Sequence, residues 1–404
     1  MKIYEIGTGY TPIPAQISAA TEIVVEELTK AFVNQNIPVE IIDIATEKRA
    51  ETDLPILEVP VPRVFSGTDV HLGIMHKLKR VVYSIALAGV LKRLLKQAQE
   101  KIVLHFHNQY NMFFFLKLVP AKLRKRCLVA YTNHSGIWRL SWDEIKETIH
   151  KRYFQEAECM KQADLVFVLN EETKCNAVEY LGVAQERVVV INNGVNTDVY
   201  CPLSAEERES AKEKFGLQNR RVILQVGSVY ENKGQLRSVE YLLPLLKENK
   251  DLVYAYVGGI VDEEYQQQVK TFAEDNGLAE QVRYLGMVSP GKELNELYNL
   301  ARATIMLSRY EGFSLAVIES LSAGTPVLMD KIAPFNLGAG CITFSQTDFV
   351  DVMHPVLIGD ASTTYIRCKA AARQNTYENY SWEQVARSYM KWFQMQLGSG
   401  GDKC

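Results

Sequence analysis

The sequence predicts an α/β protein built from two domains. Its 404 residues exceed what one hydrophobic core usually supports, so two domains of about 190 residues each are expected. Apolar runs of strand length are followed by loops that contain glycine and then by helical patterns, first from residues 2–6 and again within residues 222–234. Strands that alternate with helices in this way predict parallel sheets covered by helices.

Composition and charge narrow the class of protein. The chain is 47% hydrophobic and 23% charged, an ordinary globular composition, and its formal net charge of -3 argues against a general nucleic-acid binder. Seven cysteines without CxxC spacing or a paired framework indicate reduced thiols in a cytosolic setting. The start of the chain shows no signal peptide, and the longest apolar run, residues 81–91, is too short to span a bilayer.

The segment EGFSLAVIE at residues 311–319 is the most informative part of the sequence. It sets the carboxylates of Glu311 and Glu319 across a junction between a loop and a helix. If the helix begins at Ser314, its first free backbone N–H groups face the position beside Glu311, where an anion would be stabilised. In a fully helical span the carboxylates would lie about 12 Å apart along the axis, beyond the roughly 5 to 9.5 Å of glycosidase pairs. The spacing therefore favours a long ligand that is held at two points.

Residues 311–327, EGFSLAVIESLSAGTPV, resemble the E-x7-E signature of the retaining glycosyltransferases of family 4, often written EGFGLxxxEAxAxGxPV. Ser314 stands where the family usually has glycine. The resemblance implies the GT-B arrangement, in which two Rossmann-like domains face each other across a cleft. It implies an acceptor-binding domain at residues 1–192, a donor-binding domain at 193–380, and a last helix at 381–396 that packs back on the first domain. The alternative is a surface helix with two solvated acids.

The family's motifs also assign roles within the second domain. By resemblance, Glu311 contacts the hydroxyls of the donor sugar and Glu319 holds the ribose of the nucleotide. Residues 222–234 resemble the pattern G-R-x-x-x-x-K-G, whose two cations neutralise the departing diphosphate; the lysine is Lys233, but Ser228 replaces the arginine. Either Arg309 substitutes for it, or Lys233 and backbone N–H groups act alone. The other expected donor contacts are Gly312, Phe313, Ser314, Leu315, Gly286 and Met287.

Polar residues follow two predicted strands of the first domain. His107 and Asn108 come directly after the strand at residues 102–106, and His134 comes shortly after the strand at 128–131. The carboxyl ends of parallel strands are where ligands gather. His134 resembles the histidine of the family's Thr-x-His segment, which lies against the donor sugar, and His107 and Asn108 are expected to contact the acceptor or shape the cleft. A capped loop histidine is the alternative for His134. No spacing of histidines and acids resembles a metal set, and the family implies neither metal nor cofactor.

The loop after the first strand is a weaker candidate for contact with the donor. Gly9 follows another glycine at the right spacing for a dinucleotide fingerprint, but Pro12 occupies the position of the third glycine. The family usually has a Gly-Gly pair at this helix start, where this chain has Ala19 and Ala20. Their N–H groups can still face an anion, although the approach would be less close. Gly9, Ala19 and Ala20 are therefore expected near the diphosphate.

A strongly basic stretch lies between residues 70 and 126, with twelve lysines and arginines and one acid, Glu100. Apolar residues interleave with these charges, a pattern typical of a basic amphipathic helix. One hypothesis is that Lys92, Arg93 and Lys96 dock the protein on an anionic membrane or a lipid diphosphate acceptor. The other is a core helix with a solvated basic face.

Together these features predict a retaining hexosyltransferase that is independent of metal. It would move a hexose from a nucleotide sugar, with UDP favoured by its frequency in the family, to a hydroxyl of a glycan or lipid-linked glycan. The setting would be the synthesis of cell-surface polysaccharide, lipopolysaccharide or glycolipid, in the cytoplasm or at the inner face of the membrane. The alternatives are a GT-B epimerase or phosphorylase, or a non-catalytic glycan-binding subunit, the last suggested by Ser228 and the Ala19-Ala20 pair.

Overall fold

The computed structural model describes residues 1–15, 20–65, 74–331 and 337–398 and divides the chain into two compact units. The N-terminal unit comprises Met1–Gly194 together with the C-terminal residues from Trp382, and the second unit comprises Val195–Ser381. This division lies beside the boundary expected at residues 192 and 193. The acceptor-binding and donor-binding roles of the two units stay predictions.

The N-terminal unit is a parallel sheet with helices on both faces. Its strands are β1 (Ile3–Ile6), β2 (Val39–Ile44), β3 (Ile56–Val59), β4 (Ile102–Phe106), β5 (Cys127–Asn133), β6 (Leu165–Val168) and β7 (Val188–Val190). Its helices before the second unit are α1 (Ala20–Asn34), α2 (Ile74–Gln97), α3 (Gln109–Leu118), α4 (Ala121–Arg124), α5 (Trp142–Thr148), α6 (Phe154–Gln162) and α7 (Glu171–Glu179). Within the described residues the strand order is β3-β2-β1-β4-β5-β6-β7.

The second unit repeats this architecture. Its strands are β8 (Arg221–Val226), β9 (Leu252–Val257), β10 (Val282–Tyr284), β11 (Ala301–Met306), β12 (Val327–Asp330) and β13 (Cys341–Phe344). Its helices are α8 (Ala205–Phe215), α9 (Gln235–Glu248), α10 (Glu263–Asp275), α11 (Lys292–Leu300), α12 (Leu315–Ser322), α13 (Phe349–Ile358) and α14 (Thr363–Tyr380). In the described part of this unit the order is β10-β9-β8-β11-β12-β13, and all pairs are parallel. The predicted α/β fold is thus confirmed.

The last helix, α15 (Trp382–Gly398), belongs to the core of the N-terminal unit. Its buried face carries Trp382, Val385, Tyr389 and Phe393, spaced three or four residues apart as one helical face requires. These side chains pack with residues of α1 and of the strands of the N-terminal sheet. Trp382 also lies so close to Gly194 that a side chain at Gly194 would collide with its ring. The helix is therefore packed on the first unit, where the sequence placed it.

Two details differ from the sequence expectations or lie outside what the structure describes. Strand β5 continues to Asn133, whereas the sequence predicted its end at residue 131, so His134 is the first residue after the strand. The start of α1 was expected near residue 18, but residues 16–19, which include Ala19, lie outside the described residues. Within the described residues, the structure contains no helix that combines the length and the apolar character needed to cross a membrane.

Candidate functional site

Both sheets place their candidate residues where the strand order reverses direction. In the N-terminal unit this point lies between β1 and β4, and in the second unit between β8 and β11. In open parallel sheets, ligands bind beyond the carboxyl ends of the strands at such a switch point. The loop after β8 carries Ser228 and Lys233, and the loop after β11 carries Arg309 and Glu311. The motifs noted separately in the sequence thus meet at one edge of the second sheet.

Lys233 and Glu311 form an ion pair at this edge. The ammonium Nζ of Lys233 contacts Oε1 of Glu311, and both side chains are largely buried. A pair removed from water in this way interacts more strongly than an exposed one. The structure therefore brings together the two residues expected to contact the diphosphate and the sugar.

Asn232 joins the two loops that carry this pair. Its side-chain Oδ1 accepts the backbone N–H of Tyr310 at 3.2 Å, and its Nδ2 donates to the carbonyl of Tyr310 at 3.1 Å. The backbone N–H of Arg309 donates to the carbonyl of Asn232 at 2.9 Å. Because Asn232 is only 7% exposed, these bonds are shielded from water. The separation of Lys233 from Glu311 is thus fixed by backbone contacts as well as by their own pairing.

The start of α9 lies close to the loop that follows β11, and Gly234 permits this close approach. Its φ is +73°, in the left-handed region, and a Cβ there would lie 2.8 Å from the carbonyl oxygen of Leu307. A residue with a side chain would meet both strain and collision at this position. The glycine after Lys233 is therefore required by the packing of the two loops.

Helix α12 begins at Leu315, with Ser314 as its N-cap residue. Glu311 thus precedes the helix, and the axial spacing for a fully helical span does not apply. Phe313 and Ser314 are 8% and 7% exposed, so the turn is held inside the unit while Leu315 is half-buried. The first N–H groups of a helix carry partial positive charge. The start of α12 at Leu315 can therefore present donors to an anion beside Glu311.

Glu319 lies further along α12 in a partly buried position. The hydroxyl of Tyr298 donates to its Oε2 at 2.8 Å. Burial raises the pKa of Glu319 to about 7, although the hydrogen bond from Tyr298 acts in the opposite direction. A carboxyl with this pKa can either accept or donate a hydrogen bond near neutral pH, which suits contact with hydroxyl groups.

The loops after β8, β9 and β10 run side by side. The N–H of Gly258 donates to the carbonyl of Gly286 at 3.0 Å, and a side chain at Gly258 would collide with the backbone of the loop before Ser228. Met287, the next residue, is 67% exposed. The carbonyl of Ser228 accepts Nε2 of Gln235 at 3.0 Å. Ser228, Gly286 and Met287 therefore lie on adjoining loops, and their contact with the donor stays a prediction.

A second cation lies beside Lys233. The Nη1 of Arg309 is 2.9 Å from Oε1 of Glu231, the residue that opens the turn containing Lys233, and the Arg309 side chain is 61% exposed. The structure thus places Arg309 on the loop that also carries Glu311, next to the turn Glu231–Lys233 that follows Ser228.

The N-terminal unit contains a buried chain of one carboxylate and three histidines. His105 Nδ1 lies 3.0 Å from Oε1 of Glu5, and His107 Nε2 lies 2.7 Å from Oε2 of the same residue. His107 Nδ1 lies 3.0 Å from His134 Nε2. Glu5 and His105 are fully buried and face each other across the register of β1 and β4. The predicted residues His107 and His134 are thus in direct contact, and Glu5 and His105 join them.

The same atoms include the one candidate metal-ligand set found within the described residues. Ligand atoms of Glu5, His105 and His107 lie within 4.8 Å of one another, a grouping that sequence spacing alone did not indicate. Both histidines already lie at hydrogen-bond distance from the carboxylate, so their contacts are satisfied without an ion. Hydrogen bonds among Glu5, His105 and His107 therefore account for the arrangement of these three side chains.

Other candidate residues of the N-terminal unit have structural explanations. Asn108 caps α3, since its Oδ1 accepts the N–H of Tyr110 at 2.9 Å, and its Nδ2 donates to the hydroxyl of Tyr10 at 2.8 Å. Gly9 has φ +76° and packs directly against the ring of Tyr83, which explains the glycine without a ligand. Ala20 is exposed at the start of α1.

The basic stretch is only partly a surface feature. Lys79 is buried and donates from Nζ to the carbonyl of Tyr10 at 2.8 Å, and the guanidinium of Arg80 lies 4.2 Å from the Tyr10 ring centroid. Arg93 and Lys96 are exposed on α2. Lys92 is half-buried. Lys79 and Arg80 thus use their charges inside the unit, whereas Lys77, Arg93 and Lys96 are exposed.

Sequence reasoning missed three residues that organise these sites: Glu5, Asn232 and Tyr298. Glu5 is an acid inside an otherwise apolar strand and is fully buried. Because carboxylates are seldom fully buried without partners, its position in the sequence could have indicated a buried polar cluster. Asn232 directly precedes Lys233, but nothing in its spacing indicates the loop it joins. Tyr298 lies on α11, and its contact with Glu319 depends on the packing of two helices.

Comparisons with known proteins agree with the fold. Residues 21–199 match the model of Glycosyltransferase Family 4, and residues 207–337 match that of Glycosyl transferases group 1. The uncharacterized glycosyltransferase MJ1607 of Methanocaldococcus jannaschii is 26% identical over 73% of this chain and 75% of its own length. The serotype-specific mannosyltransferase WbdA of Escherichia coli is 26% identical over 61% of this chain but only 31% of its own length.

Solved structures extend the likeness over nearly the whole chain. HepE from Anabaena, in complex with UDP and glucose, superposes with a TM-score of 0.72 at 14% identity, covering 98% of this chain and 99% of its own. Identity at that level shows the fold, and the two family models add the family, because together they match most of both units. The chain therefore belongs to the glycosyltransferases of the family 4 type, with the GT-B fold.

Proposed function

We propose that the chain is a retaining hexosyltransferase that moves a hexose from a nucleotide sugar to a hydroxyl of a glycan or lipid-linked glycan. The observation that carries the proposal is the contact between Lys233 and Glu311 at the switch point of the second sheet, beside the start of α12. One group offers positive charge to a diphosphate, and the other offers acceptor atoms to sugar hydroxyls. Glu319 lies on the same helix and is proposed to hold the ribose.

The proposed chemistry asks the protein mainly to stabilise charge. As the bond between the sugar carbon and the diphosphate breaks, negative charge grows on the leaving group, and Lys233 and the N–H groups at the start of α12 offset it. Arg309 is proposed as the second cation in place of the residue that Ser228 has replaced. In the family's mechanism the acceptor attacks from the leaving-group face and the departing phosphate takes its proton, so neither a dedicated base nor a metal or cofactor is proposed.

The donor and pathway are proposed from relatives. UDP is favoured because the superposing HepE structure holds UDP and glucose. A role in cell-surface polysaccharide or lipopolysaccharide synthesis is suggested by the likeness to a serotype-specific mannosyltransferase. Because that relative is named as a mannosyltransferase, we also propose to test GDP-mannose as a donor. A cytoplasmic location at the inner face of the membrane would suit an acceptor carried on a lipid.

Removal of the ion pair is the first test of this function. In Lys233→Ala and Glu311→Gln variants, kcat/KM for release of nucleotide from the donor should fall about 100-fold or more, the usual effect of losing one preorganised donor. Arg309→Ala should cause a smaller fall, of about tenfold, because its guanidinium is more exposed to water. The assay follows UDP release from UDP-glucose and UDP-galactose, and GDP release from GDP-mannose.

A matched control is Lys214→Ala, which removes another lysine of the second unit whose ammonium contacts two carboxylates, Glu293 at 2.9 Å and Glu296 at 2.8 Å. This variant should keep full activity. Near-normal turnover in Lys233→Ala would refute its role toward the leaving group. Nucleotide binding without turnover by the unchanged protein would favour the glycan-binding alternative.

Membrane docking is proposed as a separate property of α2. A Lys92→Gln, Arg93→Gln, Lys96→Gln variant should lose about 100-fold in affinity for vesicles rich in anionic phospholipid, since each charge contributes about 1 kcal/mol near such a surface. Sedimentation with the vesicles measures this at low and high salt. The control replaces three exposed lysines of the second unit, Lys247, Lys250 and Lys270, and so changes the net charge equally. Binding that persists in the α2 variant and ignores salt would reject the docking role.

A further inference from the structure

We propose that Glu5 and His107 are positioning residues that fix the tautomer of His134. The hydrogen-bond chain from Glu5 through His107 places the proton of His134 on Nε2 and leaves Nδ1 as an acceptor for a hydroxyl of a sugar ligand. The tautomer follows from the N-terminal unit alone, whereas the identity of the hydroxyl rests on the proposed function.

The hydrogen-bond chain begins with a carboxylate, which can accept hydrogen bonds but cannot donate them. Glu5 is fully buried, and a buried carboxylate is costly unless hydrogen bonds satisfy its oxygens. Burial by itself would raise the pKa of Glu5, but interaction with His105 and hydrogen bonds from His105 and His107 lower it to about 2. The ionised carboxylate has no proton to give. Each imidazole nitrogen at hydrogen-bond distance from it must therefore carry a proton.

The second link is His107, whose Nε2 lies 2.7 Å from Oε2 of Glu5. That nitrogen donates, because the carboxylate oxygen cannot. Burial is the main reason why the pKa of His107 is lowered to about 4, so at neutral pH the ring holds a single proton. With this proton on Nε2, the other nitrogen of His107, Nδ1, is an acceptor.

The third link transfers this constraint to His134. Its Nε2 lies 3.0 Å from Nδ1 of His107, and the two rings stack with centroids 5.3 Å apart. Because Nδ1 of His107 accepts, Nε2 of His134 donates. Burial also lowers the pKa of His134, so its ring is neutral and Nδ1 carries no proton. Within the described residues no hydrogen-bond partner lies at this nitrogen, which leaves it available to a ligand.

His105 forms a hydrogen bond with the other oxygen of the carboxylate. Its Nδ1 lies 3.0 Å from Oε1 of Glu5, and its Nε2 lies 2.7 Å from the hydroxyl of Thr132. The hydroxyl of Tyr389, on α15, lies 3.3 Å from Thr132. Both oxygens of Glu5 are thus engaged, and the carboxylate cannot turn away from His107 without losing a buried hydrogen bond.

A neutral acceptor suits the proposed reaction. An unprotonated Nδ1 accepts a hydrogen bond from a sugar hydroxyl and so recognises a sugar by its hydroxyl pattern. The hydrogen-bonded histidines would therefore favour sugars with a hydroxyl at that position over deoxy sugars, because a missing hydroxyl leaves a polar atom unpaired.

A metal ion in the same cluster would give the opposite tautomer. An ion bound to Nε2 of His107 would replace the proton there and leave the proton on Nδ1. His107 would then donate to Nε2 of His134, and His134 would be protonated on Nδ1. The protonated nitrogen of His134 therefore distinguishes a hydrogen-bonded relay from a metal centre.

The test is a long-range ¹H–¹⁵N correlation spectrum of the full chain labelled with ¹⁵N-histidine, at pH 7.5 without ligand, with metal content measured on the same sample. The His134 signals are assigned by their absence in His134→Gln. The proposal predicts a neutral ring protonated on Nε2 and no bound metal. Protonation on Nδ1, or a stoichiometric metal, overturns it, whether or not any transfer activity is found.

Variants then test the positioning role. His107→Phe keeps a ring at this position but can neither donate to Glu5 nor accept from His134, so the His134 signals should change to a mixture of tautomers and kcat should fall about tenfold. The affinity for the nucleotide alone, measured with UDP and GDP, should not change. The control variant His150→Gln replaces an exposed histidine of the same unit. It should change neither the His134 signals nor kcat. Unchanged His134 signals or unchanged turnover in folded His107→Phe would overturn the positioning role. Absence of turnover in the unchanged protein, with the expected tautomer present, would reject the proposed function and not the relay.

Discussion

At the scale of single residues, Lys233 and Glu311 hold each other before any donor is present. A donor that binds there must exchange their mutual contact for contacts with diphosphate and sugar. Such an exchange costs less than ordering two free side chains, because their mutual contact already orients both groups. Arg309 also pairs with an acid, Glu231, but in an exposed contact. The free protein thus keeps its cations paired with acids at the edge where an anion is expected.

Glu319 provides a prediction about pH. Its pKa is about 7 in the folded protein against 4.5 as the ordinary value, so the folded state holds this proton more tightly than the unfolded state. A raised carboxyl pKa gives stability that is present at low pH and lost as the pH rises from about 4.5 to about 7. Glu319→Gln has no proton to lose, so its melting temperature relative to the unchanged protein should increase from pH 5 to pH 8.

Paired thermal scans at several pH values measure this difference. Glu274→Gln, at an exposed acid of α10, is the control and should show little change of the difference with pH. A flat difference for Glu319→Gln would mean that its carboxyl is ionised normally in the folded state.

At the scale of elements, the site depends on loops that approach each other at the ends of parallel strands. Glycines at Gly234 and Gly258 allow contacts that a Cβ would block. Asn232 supplies polar contacts between the loops that follow β8 and β11. The geometry of the pair Lys233 and Glu311 is therefore a property of β8, β11 and the loops that follow them.

Gly234→Ala should destabilise the second unit and weaken the ion pair. The alanine would adopt a left-handed φ, at a cost of about 1–2 kcal/mol, and would also press on the carbonyl of Leu307. Gly277→Ala is a matched control, since Gly277 has φ +70° with no neighbour near the added Cβ. Thermal scans should show a larger fall for Gly234→Ala, together with reduced turnover. Equal falls in the two variants would mean that the close approach of the loops is not needed.

At the scale of the whole molecule, the α/β fold and the family could be predicted because they depend on local patterns. Strand runs, glycine turns and the EGFSLAVIE segment are contiguous, and so is the pattern of α15. The hydrogen-bond chain of Glu5 and the histidines could not be predicted from the sequence. Glu5 and His105 are 100 residues apart and meet only because β1 and β4 are neighbours in the sheet. The internal roles of Lys79 and Arg80 were missed for a similar reason, since a charge pattern does not show which cations face inward.

The central claim is that the second unit binds a nucleotide sugar through Glu319, Lys233 and Glu311. Its most direct test is thermal stability against UDP-glucose, GDP-mannose and ADP-glucose, repeated with Glu319→Gln. A ligand at about 100 times its dissociation constant adds about 2.7 kcal/mol to the stability of the form that binds it. We expect one nucleotide base, UDP in preference, to raise the melting temperature, and the rise to be largely lost in the variant. No rise with any donor, or an equal rise in the variant, would contradict the account.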